Sequence, residues 1–225
     1  MFEKIDRRDG VTYSALVPNM KGLELAADSG LSEVVTIMSA SESHNKNNIN
    51  RTVAESLKET EELNEEAARR SIRVRSYIAT SFGCPFEGEI DPGKVLEIAL
   101  ALEEYGSYEI SIGDTTGMAN PSGVYSLSKK LLGELKRATL AMHFHQSDGI
   151  EYANVLSAMM AGVTVFDGAA GGLGGCPYAP GALGNIATEV LVEMLARMGI
   201  TTGIDGGKIK GCAEYAGGMI ESCES

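Results

Sequence analysis

GAAGGLGGCPYAPGALGN, residues 168–185, decides between the two fold classes open to this chain. A dinucleotide-binding sheet carries Gly-x-Gly-x-x-Gly directly after its first strand, where the glycines let the backbone approach a pyrophosphate. Here Gly172 and Gly174 have the first spacing, but Pro177 stands at the third position. The stretch also follows the last strand-like run instead of the first. A phosphate loop is excluded too, because Gly207-Lys208 is followed by Ile209. Glycines in this number cost conformational entropy that a loop used only for packing would not need. A hinged lid presenting the thiol of Cys176 fits the composition, against the simpler reading of an inert, buried cysteine.

Upstream, short β-rich runs alternate with longer amphipathic ones. The strand candidates are TYSALV (12–17), EVVTIM (33–38), RVRSYIA (73–79), YEISIG (108–113), TLAMHF (139–144) and VTVFDG (163–168). Helical patterns cover 21–29, 51–70, 92–105, 121–136 and 149–161, with a last one at 184–198. Asn50, and Asp91 followed by Pro92, read as helix starts. The acidic run ETEELNEE (59–66) is a solvated helix face. Strands each followed by a helix imply parallel pairing and right-handed crossovers. Polar, glycine-rich segments follow nearly every strand, among them SASESHNKNN, TSFGCPFEG, GDTTGMANP and HFHQSDG. Chemistry gathered at the C-terminal ends of strands is how a (β/α)8 barrel builds a site. The pattern favours an α/β fold of the (β/α)8 TIM-barrel type in one domain spanning 1–225, against a count of six βα units where a closed barrel needs eight.

The totals agree with a small-molecule enzyme. A formal net charge of −12 argues against nucleic acid and anionic membrane partners. No apolar run is long enough to span a membrane, and MFEKIDRRDG lacks the apolar stretch of a secretory signal. Cysteines 84, 176, 212 and 223 form no Cys-x-x-Cys pair, which fits a reducing, cytoplasmic setting.

Within LAMHFHQSDG (140–149), His143 and His145 are one residue apart at the end of a strand candidate. Alternate strand side chains share a face, so the two imidazoles point the same way, about 7 Å apart at Cβ, as two ligands of one ion would. A carboxylate and an amide added to them would suit a hard, six-coordinate ion such as Mg2+ or Mn2+. Asp114, ending its strand in GDTTG, has two readings: a cap for the next segment or a substrate contact. Asn185, at the far end of the glycine stretch, could ligate through its carbonyl or cap the last helix. His44 and Cys84 are placed on loops after strands.

From about residue 11 to residue 205 the chain resembles the 3-hydroxy-3-methylglutaryl-CoA (HMG-CoA) lyases, in the wider group of metal-dependent acyl-CoA lyases and Claisen-type synthases. YSALVPNMKG, NNIN, FGCPFEG, YEISIGDTTG, HFH, and above all GGLGGCPYAPGALGN with ATEVLV, carry the resemblance. The related synthases have a Gly-Glu-Arg-type sequence in place of the cysteine loop. The resemblance implies cleavage of HMG-CoA to acetoacetate and acetyl-CoA with a divalent metal, Mg2+ or Mn2+, and an acyl-CoA as the bound partner. It implies His143, His145 and Asn185 as metal ligands, and Cys176 and Asp114 as catalytic residues. Tyr77, Thr115 and Gly174 would contact substrate. A homodimer is compatible with this reading.

Three departures follow. In the family an Arg-Asp-Gly ends the first strand and a Glu ends the second, whereas this chain starts just before the third. Arg8-Asp9-Gly10 is not that motif, because Val11 and Thr12 stand where Leu and Gln are expected. Gln146 stands where the family usually has Asp, and the short tail after Gly203 predicts loss of the C-terminal cap. The expectation is thus a lyase lacking two βα units, impaired by the loss of an electrostatic stabiliser. The rival readings are a non-catalytic barrel remnant acting as a binding module, and a lyase for a different 3-hydroxy acid.

Overall fold

The structure is a computed structural model that describes residues 4–175 and 183–224. Six parallel strands form one sheet in the order in which they occur in the chain: β1 (Ser14–Leu16), β2 (Glu33–Ser39), β3 (Arg73–Ala79), β6 (Glu109–Asp114), β7 (Thr139–Phe144) and β8 (Val165–Asp167). A small antiparallel hairpin, β4 (Gly83–Cys84) with β5 (Gly88–Glu89), sits in the segment after β3. The helices are α1 (Met20–Asp28), α2 (Glu42–Ile49), α3 (Val53–Arg69), α4 (Pro92–Glu104), α5 (Pro121–Glu134), α6 (Ile150–Ala161), α7 (Thr188–Arg197) and α8 (Gly206–Glu224). Strand order that follows chain order, every pair parallel, is the winding of a (β/α)8 barrel and not of a doubly wound sheet. Among the described residues β1 and β8 are the two edges, so the barrel is an open segment.

Alternation builds the two faces. In β3, Val74, Ser76 and Ile78 are buried against the helices, as are Ile110 and Ile112 of β6 and Leu140, Met142 and Phe144 of β7. Val95, Ile98 and Leu102 of α4 and Val124, Leu127 and Leu131 of α5 meet them at helical spacing. The opposite register (Arg75 beside Glu109, Tyr77 beside Ser111, Gly113 beside His143, His143 beside Asp167) lines the concave side with polar groups.

Several helix limits differ from the sequence reading. Asn50 does not start a helix. It ends α2 in the left-handed conformation (φ 57°), and Thr52 starts α3 through a capping box with Glu55. Asp91 does cap α4, accepting from the Gly93 N–H, with Pro92 in the first turn. His44 lies inside α2, a helix whose sequence, ESHNKNNI, has no apolar stripe to announce it. After Gly203, Asp205 accepts from the Gly207 and Lys208 N–H groups at 2.9 and 3.0 Å and opens the 19-residue helix α8, which the sequence reading did not place.

Candidate active site

His143 is the fifth residue of β7 and His145 stands just past its end. Phe144, between them, is buried in the helix-side core and stacks with Phe82 at 6.5 Å. The imidazoles therefore share the concave face, with ring centroids 5.2 Å apart and edge-to-face. Backbone pairing brings in Asn185 from beyond the glycine stretch: His145 and Asn185 form an isolated antiparallel bridge. The Gln146 N–H donates to the Gly184 carbonyl (2.8 Å), and the Ile186 N–H donates to the Phe144 carbonyl (3.0 Å). The Asn185 amide donates to the Leu173 carbonyl at 2.8 Å, so it does not cap α7; Ala187 occupies that position without a side-chain bond. The three residues proposed as ligands are thus brought to one place.

Two glycines make that approach possible. A Cβ on Gly184 would collide with the Gly172 carbonyl oxygen, and one on Gly172 would lie 2.5 Å from the Gln146 amide nitrogen. Gly172 also has φ +63°, a region that strains any other residue type. The entropic cost of this stretch serves the packing of two backbone segments against each other at the site.

Below the histidines lies a charge network that the sequence reading missed. The Arg75 guanidinium donates to both oxygens of Asp167 at 2.8 Å, and also to Glu109 and the Tyr77 phenol. Tyr77 and Ser111 donate to Asp167 Oδ2 at 2.6 and 2.9 Å. Burial works against the charge on Arg75, but Asp167, Tyr77 and Glu109 more than offset it and hold the guanidinium protonated. Burial and the Asp167 charge push the Tyr77 phenol well above its usual range. The signal was present in RVRSYIA, where strand alternation puts Arg75 and Tyr77 on the face shared with His143.

Burial holds His143 down to about 4, against the pull of Asp167, and also lowers His145, so both rings are neutral and have lone pairs to offer at neutral pH. A cavity of about 630 Å3 opens over them, lined at its polar end by His143, His145, Asn185, Arg75, Tyr77 and Thr115 and at its apolar end by Leu16, Val35, Ile37 and Ile49. Gly175 and His44 also reach it. Thr115 accepts the Thr80 N–H through Oγ1 at 3.0 Å. Gly174, with φ +89°, lies against the Asn185 amide, where a Cβ would come within 2.9 Å.

Asp114 is placed differently from its neighbours. Strand alternation turns its fully buried side chain away from the histidine face, and Oδ1 accepts the N–H groups of Met118 and Ala119 at 2.9 and 3.1 Å. It caps the loop that carries Thr115, the first of its two sequence readings. Burial raises its carboxyl to about 6, against those two hydrogen bonds, and Oδ2 has no hydrogen-bond partner among the described residues. Cys176 lies outside the described residues. A second concavity, about 590 Å3 between α7 and residues 199–207, is lined by Val192, Ile200 and Ile204, and Glu193 at its wall is paired with Lys210 at 2.8 Å.

A singly wound parallel sheet with its histidine pair, amide and cavity at the C-terminal strand ends defines a protein of the (β/α)8-barrel class. The HMGL-like family profile matches residues 2–215. The chain belongs to the HMGL-like family, as a homologue of the hydroxymethylglutaryl-CoA lyases. It is 46% identical to the hydroxymethylglutaryl-CoA lyase of Bacillus subtilis over 211 residues, covering 94% of this chain and 71% of that protein. The crystal structure of the B. subtilis enzyme superposes with a TM-score of 0.91 at 45% identity, covering 96% of this chain and 72% of that one. The cytoplasmic 3-hydroxy-3-methylglutaryl-CoA lyase of Rattus norvegicus is 42% identical; the alignment covers 94% of this chain and 62% of the rat protein. An HMG-CoA lyase of Acinetobacter baumannii, solved in complex with coenzyme A and 3-methylmalate, matches with a TM-score of 0.87 at 39% identity, over 92% of this chain and 68% of that one.

Proposed function

We propose that this chain carries the lyase site that cleaves 3-hydroxy-3-methylglutaryl-CoA to acetoacetate and acetyl-CoA. The observation that supports it most directly is the convergence of His143, His145 and Asn185 on one rim of the sheet, through the His145–Asn185 bridge. Two neutral imidazoles and an amide fit a divalent cation as part of a larger ligand set. Arg75, Asp167 and Glu109 leave one carboxylate in excess beneath them, which favours a cation further. The described residues include no cluster of three or more His, Cys, Asp and Glu side chains arranged around one ion. His143, His145 and Asn185 would hold the metal, Mg2+ or Mn2+, which supplies Lewis-acid polarisation of the substrate when bound.

In the reaction the 3-hydroxyl gives its proton to a base or to solvent, the C2–C3 bond breaks, C3 becomes the ketone of acetoacetate, and the electron pair passes to the thioester enolate. That enolate takes a proton to become acetyl-CoA. Cys176 is the assigned donor, since a thiol of pKa about 8.5 can protonate an enolate carbon. Tyr77 and Thr115, at the polar end of the cavity beside the histidines, would contact the substrate, and Asp114 anchors the loop that presents Thr115. Coenzyme A in the A. baumannii relative supports an acyl-CoA as the bound partner. The free thiols of Cys84 and Cys212 support a cytoplasmic setting.

The test is release of acetyl-CoA from HMG-CoA by purified protein, with Mg2+ or Mn2+ and with EDTA. Metal-dependent release that falls steeply in Cys176→Ser is expected. Folded protein with no metal-dependent release overturns the assignment.

A further inference from the structure

We propose that Asp167 is a positioning residue for His143: its carboxylate, clamped by Arg75, Tyr77 and Ser111, holds the imidazole so that Nε2 faces His145 and Asn185. The inference rests on the metal-site reading for the use of that orientation, though not for the orientation itself.

Asp167 Oδ2 accepts from Tyr77, Ser111 and Arg75 at 2.6, 2.9 and 2.8 Å, and Oδ1 accepts from Arg75 at 2.8 Å. Three donors saturate Oδ2, the oxygen nearest the His143 ring, so it faces that ring as a fixed negative charge. His143 Nδ1 is buried and has no hydrogen-bond partner among the described residues. It stands 3.9 Å from Asp167 Oδ2, too far for a hydrogen bond and close enough for charge to decide the ring's orientation.

The one guanidinium is divided between Asp167 and Glu109, so it does not cancel both carboxylates. An N–H of the ring pointing at that excess is attracted, and a lone pair there is repelled. A half-turn about Cβ–Cγ would put a ring carbon there and lose the attraction. Tyr77 and His145 pack edge-on against the ring at 5.7 and 5.2 Å, which leaves little room for intermediate angles. With Nδ1 facing Asp167, Nε2 is the ring nitrogen left to serve a ligand shared with His145 and Asn185. A histidine ligand whose other nitrogen faces a clamped carboxylate has its ring orientation set before any ion arrives.

The experiment compares the full chain with Asp167→Asn by Mn2+ titration calorimetry and by the ring resonances of His143 in the metal-free protein, with those of His145 as internal control. Asp167→Asn is expected to weaken Mn2+ binding 10–100-fold. It is also expected to shift or double the His143 resonances while His145 stays in place. Unchanged His143 resonances overturn the positioning role. If the unsubstituted chain takes up no Mn2+, the metal-site reading fails and the resonances alone decide the role of Asp167. Should Asp167→Asn not fold, Ser111→Ala removes one clamp bond with little change of volume. A smaller shift of the same resonances is expected, and no shift overturns the proposal.

Discussion

His145 and Asn185 face each other across an isolated antiparallel bridge that joins the end of β7 to the far side of the glycine stretch. Neither residue reaches the other through regular secondary structure, so the site depends on both anchors. His145→Ala and Asn185→Ala are expected to lower Mn2+ affinity by at least tenfold each, and the double variant by less than the product, because ligands of one ion are coupled. Calorimetric titration of the four proteins checks this; independent effects would mean that the two residues do not share an ion.

Gly184→Ala puts a methyl group against the Gly172 carbonyl, a backbone atom that cannot swing aside. Overpacking of this kind costs about 1–3 kcal/mol. The expected result is a lower Tm together with a loss of metal affinity, since Asn185 moves with its neighbour. Calorimetric unfolding and a Mn2+ titration on the same preparation measure both.

Asp114 gives a pH signature. Its folded-state value of about 6 lies above the ordinary 3.8, so its protonation stabilises the fold fully below the unfolded value, and this contribution is lost as pH rises through 6. At about 1.4 kcal/mol per pH unit the difference amounts to roughly 3 kcal/mol between acid and neutral conditions. Asp114→Asn has no such titration. The stability of the unsubstituted protein relative to Asp114→Asn should therefore fall between pH 3.8 and about 6 and level off above that in urea melts; a difference that is flat with pH would rule out this account.

Asn45 ties the end of β2 to α2 and α3. Its Oδ1 accepts the Ser39 N–H at 2.8 Å, and its amide donates to the Arg51 carbonyl and to Ser56 Oγ at 3.0 and 2.7 Å; the bonds to Ser39 and Ser56 are buried and that to Arg51 partly so. Asn45→Ala leaves these buried groups unpaired, at about 1–3 kcal/mol for each that water cannot reach. A fall in Tm of several degrees is expected, whereas a neutral substitution would show that water takes over the bonds.

Strands were the legible part of this chain. RVRSYIA alternates Val74, Ser76 and Ile78 with polar or aromatic residues and TLAMHF places Leu140, Met142 and Phe144 at every second position, and β3 and β7 have the limits those runs suggest. Helix α2 was not legible because its order comes from Ser41 and from the polar hub at Asn45 instead of from an apolar stripe. Helix α8, rich in glycine, was hidden for the same reason and is held against residues 170–172 and α7. At the site, the His-x-His pair and Asn185 could be named because they sit in distinctive local strings. Arg75 and Asp167 could not be paired from sequence, since only the parallel register of four strands brings them together. GDTTG left Asp114 two roles, a cap or a substrate contact, and alternation in β6 favours the cap by sending its side chain to the face opposite the histidines.

The His145–Asn185 bridge has a consequence for how the fold holds together. A ligand gripping both residues would act as a reversible staple across everything between them, joining the last helical unit to the sheet. At a hundredfold excess over its Kd such a ligand adds about 2.7 kcal/mol to the folded state. Resistance to proteolysis at the C-terminal end would then report on the cation concentration around the protein, turning the occupant of the site into a structural fastener for the edge strand β8 and for α7.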